Sequence, residues 1–511
     1  MRSGALVFVA AAGLVVGCSS SDGSDGSDGG DGSTTTTAAD VDRVLAVDDG
    51  TVVAVVDPRY QSYNVEMVEV TGGEFWKPYD SGPGKVVRAP IDLSSERLRN
   101  LAKALGPAYI RVSGTWANST YFDADGTAGG EAPEGFVGVL TGDQWAGVGD
   151  FAEAVDGEIV GSFASSDGVH GADGAWNDDQ AREFLEFTLD HEIPLVAAEF
   201  YNEPGFNIGV PAGYDAAAFG RDFKIFKKTV DDVMPNLKIV GPGSGDDVTP
   251  IILDPAIKSA DILEIVGPEA FDTLSFHFYP KVSERCGSEE GPEAALTKEY
   301  LERIEADQGF YKELRDQYTP GAPMWMTETA QAACGGDRWA AKYIDVIRYI
   351  DTLGRMADGD GDAVFHNTLA ASDYGLIDEA NLEPRPNYWA AVVWQQVMGN
   401  KVVATKDASS VADLAIYAHC TPNAAGVTYA VVNSSRTEER TVATSAEETT
   451  VFQLTGKALD GETINLNGEV LTANDDGTIP KIEGVTQAGP VTVPPASVTF
   501  VVDPTEATAC T

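Results

Sequence analysis

The chain of 511 residues carries 34 lysines and arginines against 80 aspartates and glutamates, a net charge of −46 spread along its length. A surface of that sign repels nucleic acid and polysulfated polymers and favours solubility, so no nucleic-acid partner is expected. It does not decide the character of a single pocket, because exposed charges more than about 8 Å apart are screened at physiological salt.

Arg2 precedes an apolar run from residue 5 to 16, followed by Gly17 and Cys18. A charged start and an apolar stretch too short to span a bilayer read as a cleaved signal over residues 1–17. Leu14-Val15-Val16-Gly17-Cys18 resembles a bacterial lipobox, with cleavage before Cys18 and lipid on its sulfur; the plainer reading is a secretory signal with an incidental cysteine. Residues 18–42 continue as a Ser/Gly/Asp/Thr-rich tether that cannot bury apolar area. The expectation is an exported lipoprotein on the periplasmic or extracellular side, in touch with the membrane only through its anchor. Of five cysteines, four remain once Cys18 is lipidated, and an even number in an exported chain argues for two disulfides. Three pairings satisfy the count; Cys286–Cys334 with Cys420–Cys510 keeps each bridge inside one domain and is favoured over free buried thiols.

Short period-2 runs at 44–46 and 52–56 read as strands with no helix to follow them. From residue 60 to 398, β-branched apolar runs alternate with amphipathic stretches. The strands fall at 62–65, 108–112, 159–163, 195–200, 238–240, 273–278, 324–327 and 364–368. Helical patterns fall at 94–105 (with Ser94 and Ser95 as caps), 178–191, 215–233, 297–318, 339–356 and 387–398. Eight β-then-α units predict a (β/α)8 barrel rather than a doubly wound sheet, because Val65-Glu66-Met67-Val68 follows the first strand where a phosphate-binding glycine loop would stand. Residues 399–511 change texture to short alternating runs at 401–404, 414–419, 427–433, 440–445, 449–454, 491–493 and 497–502, which predicts an antiparallel β-sandwich. The N-terminal strands within 43–59 are expected to pair into that sandwich, so that the chain leaves it, builds the barrel and returns.

Barrel enzymes carry their chemistry at the C-terminal ends of the strands. Strand 4 ends in Glu199-Phe200-Tyr201-Asn202-Glu203-Pro204 and strand 7 in Trp325-Met326-Thr327-Glu328-Thr329. Hydrolysis of a glycosidic bond needs such a carboxylate pair, one acid to protonate the leaving oxygen and one carboxylate on the other face of the sugar. Glu203 is the predicted general acid/base, with Asn202 toward the sugar 2-hydroxyl, and Glu328 the predicted nucleophile. Strand 6 ends Phe276-His277-Phe278-Tyr279, whose phenol, and imidazole, would support the ionised Glu328. A single glutamate at a strand end is commonly a surface or salt-bridged residue; the joint occurrence on strands 4, 6 and 7 carries the reading. Trp116 is either a sugar-stacking platform or a core residue.

With these residues in place, the set resembles the clan A retaining glycosidases, and within them glycoside hydrolase family 79, the heparanase and β-glucuronidase family. Pro107-Ala108-Tyr109-Ile110-Arg111-Val112-Ser113-Gly114-Thr115 resembles the family's strand-2 segment, and Tyr374-Gly375-Leu376-Ile377-Asp378-Glu379 with Pro386-Asn387-Tyr388-Trp389 its strand-8 loop and last helix. The resemblance implies Glu203 as acid/base, Glu328 as nucleophile, and Asn202 and Tyr279 as their neighbours. It implies Glu66 and Thr115 as holders of sugar hydroxyls, and Tyr374 with the amides of Gly335 and Gly336 as the grip on a uronate carboxylate. Taken as ordinary residues, Gly335-Gly336 would be a turn and Glu66 a buried structural carboxylate. Two departures matter: Ala332-Ala333-Cys334 stands where heparanase has a tyrosine before its glycines, and Thr115-Trp116-Ala117-Asn118 lacks the family's basic residue. A β-glucuronidase is the first expectation. A retaining β-glycosidase for a neutral sugar and a non-catalytic glycan-binding surface lipoprotein are the alternatives. No metal or other cofactor is expected: His170, His191, His366 and His419 lack ligand spacing, and Asp358-Gly359-Asp360-Gly361-Asp362 is too short for a calcium loop of the EF-hand type.

Overall fold

The computed structural model describes residues 41–511 except 83, 249, 250, 253 and 407–410; the predicted signal, Cys18 and most of the tether lie outside the described residues. Eight parallel strands close into a barrel: β1 (Gln61–Asn64), β2 (Ala108–Val112), β3 (Gly157–Ser162), β4 (Leu195–Glu199), β5 (Lys238–Ser244), β6 (Thr273–Phe278), β7 (Met324–Thr329) and β8 (Ala363–His366), neighbouring one another in chain order. A helix follows every strand. Two of the eight were not legible as helices, Gly142–Ala154 and Ser259–Val266. The first contains three glycines, each a propensity penalty. It forms because Thr141 and Gln144 cap its start reciprocally and Trp145, Val148 and Phe151 are buried. The helix expected from residue 339 starts only at Asp345, because the amides of Tyr343 and Ile344 bond to the carbonyls of Gly461 and Leu459 at 2.8 and 2.9 Å instead of to a preceding helical turn.

Alternation along each strand sorts the barrel into an outer core and a filled lumen. Ala108, Ile110 and Val112 of β2 face the helices, whereas Tyr109 turns inward to meet Trp325 at 4.7 Å and Phe365 at 5.9 Å between ring centroids. One pleat higher on the same inward face stands Arg111, so the lumen passes from an aromatic floor to a charged layer within two residues. β7 carries one residue more than either neighbour: Phe276 and His277 oppose Met326 and Glu328, and Val364 and His366 oppose Met326 and Thr329. Such a bulge re-aims a side chain. Here it points Glu328 into the barrel mouth, where strict alternation from Trp325 would have sent it outward.

The C-terminal region is a sandwich of unequal sheets. The large one runs Val47–Val55, Lys401–Thr405, Leu414–Cys420, Val427–Asn433, Ser497–Asp503, Glu448–Thr455, then Asn465–Leu466 and Glu469–Val470, with Val485–Ala488 beside Glu448–Thr455; the small one is Arg43–Val44, Arg440–Ala443 and Val491–Val493. Both N-terminal strands thus join strands from beyond residue 399, as expected, one antiparallel to Lys401–Thr405 and one parallel to Arg440–Ala443. The large sheet is apolar on both faces. Val427, Tyr429 and Val431 pack against the small sheet, while Ala430 and Val432 join the barrel's core. Helix Asp345–Asp358 lies on that second face, and Gly354 lets it approach: a Cβ there would come within 2.1 Å of the Tyr417 ring. Both expected disulfides are formed, Cys286–Cys334 and Cys420–Cys510. The acidic turn is structural: Asp362 accepts from the amide of Met324 at 2.7 Å, and Asp360 pairs with Arg315 at 2.8 Å.

Candidate active site

At the C-terminal mouth of the barrel a cavity of about 510 Å³ is lined by Glu66, Thr115, Glu203, Tyr279, Glu328 and Tyr374, with Trp76, Lys85, Trp116, Cys334 and Asn367 among its walls. Glu203 lies four residues past β4 with φ +50° and ψ +61°, in the left-handed region that a non-glycine residue seldom occupies. Asn118 holds this turn in place: its amide oxygen accepts from the backbone N–H of Asn202 and its amide nitrogen donates to the Asn202 carbonyl, both at 2.9 Å. Glu328 comes from β7 through the bulge. One oxygen of Glu203, one of Glu328 and a ring nitrogen of His277 all lie within 4.8 Å of one another.

The two carboxylates have different company. Glu328 accepts from the Tyr279 hydroxyl at 2.6 Å, from Arg111 Nη1 at 3.2 Å and from Asn367 Nδ2 at 3.3 Å. Glu203 accepts from Asn202 Nδ2 at 3.2 Å and stands 3.0 Å from His277 Nδ1. Burial pushes the Glu203 carboxyl up to about 7, against the smaller opposing pull of Arg111 and the Asn202 amide. Burial likewise drives His277 down to about 4, so it is a neutral imidazole. Arg111 Nη2 is 3.3 Å from His277 Nε2, and a guanidinium can only donate. His277 Nε2 is therefore the acceptor, and Nδ1 carries the hydrogen and donates to Glu203. The imidazole expected to serve Glu328 thus faces Glu203 instead, with Glu328 3.6 Å away.

Arg111 is the residue that the sequence reading quoted without giving it a task. It is 1% exposed, makes a forked contact to Glu199 at 2.8–3.2 Å, donates to Asn202 Oδ1 at 2.7 Å and reaches Glu328. Two carboxylates and one guanidinium buried together need these fixed geometries, because an unpaired charge here would cost several kcal/mol. The signal was present as an arginine in an otherwise apolar strand, on the same face as Tyr109. Asn367, just past β8, was missed altogether; its amide reaches Tyr279 Oη at 2.9 Å, Tyr374 Oη at 3.4 Å and Glu328. Glu203, His277 and Glu328 form the one cluster of metal-ligating types among the described residues. The Arg111 charge against two of its members disfavours a divalent cation there.

The remaining expected residues divide. Glu66 lines the cavity from the cap of the short helix Met67–Thr71, buried, with Oε2 unpartnered and with desolvation and Glu328 raising its carboxyl well above the usual range. Its place depends on Gly114, at φ +92°, where a Cβ would overlap that oxygen at 1.6 Å. Thr115 and Tyr374 also line the cavity. Gly335 and Gly336 are not among the lining residues; Ala333 and Cys334 are. Gly335 is wedged against Trp76, Ser372 and Arg285, and Gly336 against Ala340 and Tyr374. Trp116 is half-buried, meets Phe75 edge-on at 4.8 Å, and presents the rest of its surface to the cavity.

Residues 84–354 match the sequence model of the Glycosyl hydrolase family 79, N-terminal domain. The chain is 25% identical to heparanase-like protein 1 of Arabidopsis thaliana over 508 residues, covering 85% of this chain and 90% of that one. It is 30% identical to baicalin-β-D-glucuronidase of Scutellaria baicalensis over 173 residues, 32% of each. Among solved structures, a 4-O-α-L-rhamnosyl-β-D-glucuronidase from Fusarium oxysporum superposes with a TM-score of 0.66 at 16% identity, covering 90% of this chain and 100% of that one, a likeness of fold.

Proposed function

The chain belongs to glycosyl hydrolase family 79, and from that premise we propose that it is a retaining β-glycoside hydrolase of β-glucuronidase type, with Glu203 as acid/base and Glu328 as nucleophile. One observation carries the reading: two glutamates on opposite walls of one cavity approach within 4.8 Å, one surrounded by neutral donors and one by a guanidinium and a phenol. A separation near 5 Å suits retention, since it leaves room for the sugar but not for a water beside it.

In the first step Glu328 attacks the anomeric carbon while Glu203 gives its proton to the glycosidic oxygen; the C–O bond to the aglycone breaks and a glycosyl ester forms. In the second step Glu203, now ionised, takes a proton from water, whose oxygen replaces Glu328 at the anomeric carbon. Arg111, Tyr279 and Asn367 lower the cost of the Glu328 anion before attack and after release. His277 and Asn202, both donors, steady Glu203 in either protonation state. Glu66, Thr115 and Tyr374 line the space for the sugar hydroxyls and substituent.

A uronide is supported by the likeness to a plant glucuronidase and by Tyr374 in the wall. A neutral β-glycoside is the second reading, favoured by the position of Gly335 and Gly336 away from the lining. A purely glycan-binding role has no use for the opposed carboxylates. A panel of aryl β-glucuronide, glucoside, xyloside and galactoside tests the reading: uronide turnover lost in Glu328→Ala and lowered in Glu203→Gln is expected, and turnover unchanged in both variants would sink it. The lipobox at Cys18 supports export as a lipid-anchored protein; palmitate labelling of the expressed chain, absent from Cys18→Ser, is the expected result, and labelling unaffected by that change would refute it.

A further inference from the structure

Strands Gly73–Trp76 and Lys85–Arg88 form an antiparallel hairpin in the loop after β1, with Trp76 opposite Lys85. Both side chains line the cavity. Lys85 Nζ lies 4.7 Å from the ring centroid of Trp76 and 5.3 Å from that of Trp116. Among the described residues it is the one lysine or arginine of the lining, which also includes Glu66, Glu74, Glu203 and Glu328, and it makes no ion pair. Two other cations nearby are committed: Arg285, which also approaches Trp76, is bound to Asp373 at 2.8 Å and to the Lys77 carbonyl at 3.0 Å, and Lys281 is bound to Asp337 at 2.8 Å. In a chain with 80 acidic side chains, a lysine held between two indoles and left without an acid keeps its three N–H donors for something else. Trp76 in turn packs on Gly335, in the loop that follows Glu328.

We propose that Lys85 selects an anionic glycone: its ammonium, steered by Trp76 and Trp116, pairs with the carboxylate of a uronic acid residue bound in the cavity. The charge missing after β2 is thereby supplied from a different segment, the hairpin after β1. Ring faces attract the cation and fix the lysine stem, so little ordering remains to be done when the carboxylate arrives. The inference rests on the hydrolase reading for the identity of the site, and its first test is of binding rather than turnover.

The experiment is calorimetric titration of the wild type, Lys85→Met and Lys85→Gln with D-glucuronate and with D-glucose at low salt. Lys85 is exposed, so both variants are expected to keep the wild-type circular dichroism and melting temperature. Wild type should bind glucuronate at least tenfold more tightly than glucose, and both variants should lose that preference while keeping glucose affinity. Equal affinity of the wild type for the two sugars, or a preference that survives in both variants, overturns the proposal. Hydrolysis reports separately: glucuronate binding through Lys85 without any aryl glycoside turnover would remove the hydrolase reading alone, whereas turnover with an unaltered uronide-over-xyloside ratio in Lys85→Met would remove this one alone.

Discussion

The two sides of the cavity mouth solve opposite problems with the same residue type. On the β4 side, Glu203 is presented beyond the strand on a left-handed residue, bounded by an amide and a neutral imidazole, and its carboxyl is pushed up to about 7 by burial. On the β7 side, Glu328 is presented inside the strand by a bulge, and a guanidinium, a phenol and an amide converge on it. Nothing in the glutamates distinguishes them. The difference lies in which carboxylate Arg111 bonds directly, beside Tyr279 and Asn367, and it teaches that a division of roles within such a pair is made by its neighbours rather than by its members.

The comparison can be broken from either side. Glu328→Ala should show the largest effect, a fall in kcat on the order of 10⁴-fold or more in steady-state assays, since no other group can form the ester. Glu203→Gln should cost roughly 10²- to 10⁴-fold, less on aryl glycosides whose leaving group needs no proton, and added azide should restore turnover in the smaller Glu203→Ala. Tyr279→Phe removes one hydrogen bond to the charged carboxylate, worth about 1.5–3 kcal/mol, or roughly a 10- to 150-fold fall in kcat/KM.

The pH profile sharpens the same contrast. Glu203 must enter the first step protonated, so kcat/KM should hold on the acid side and fall as pH rises through about 7; the sign follows from burial favouring the neutral form. In Glu203→Gln that alkaline fall should vanish, and its persistence would assign the acid elsewhere. The smallest effect on chemistry should come from the far domain: Cys420→Ser with Cys510→Ser opens a bridge spanning 90 residues and should lower stability by about 2–4 kcal/mol, read by thermal melting, with kcat unchanged.

What could be read in advance depended on the range of the interaction. All eight barrel strands follow from local alternation and β-branched composition, and the pairing of the N-terminal strands with the C-terminal sheet from the lack of a helix after either strand. The placement of Glu203 and Glu328 at the cavity was legible because strand ends could be located. Arg111 escaped a role because its partners, Glu199, Asn202 and Glu328, are 88, 91 and 217 residues away, and only closure of the barrel brings them together. The bulge that turns Glu328 inward is invisible in Trp325-Met326-Thr327-Glu328, since simple alternation assigns the opposite face. His277 was read toward Glu328 alone for a similar reason: strand 6 neighbours strand 7 in the barrel, yet Nδ1 stands 3.0 Å from Glu203 and 3.6 Å from Glu328. Lys85 was passed over because it lies in a loop hairpin with no periodic signal, and only the fold brings it to the cavity beside Trp116.

The central claim is double displacement through Glu328, and the stereochemistry of the first-formed product tests it most directly. Proton NMR of an aryl β-glucuronide reaction, recorded before mutarotation, should show the β-anomer of the free sugar appearing first. An α-anomer as the first product would mean single displacement by water, and would contradict the assignment of Glu328 as nucleophile.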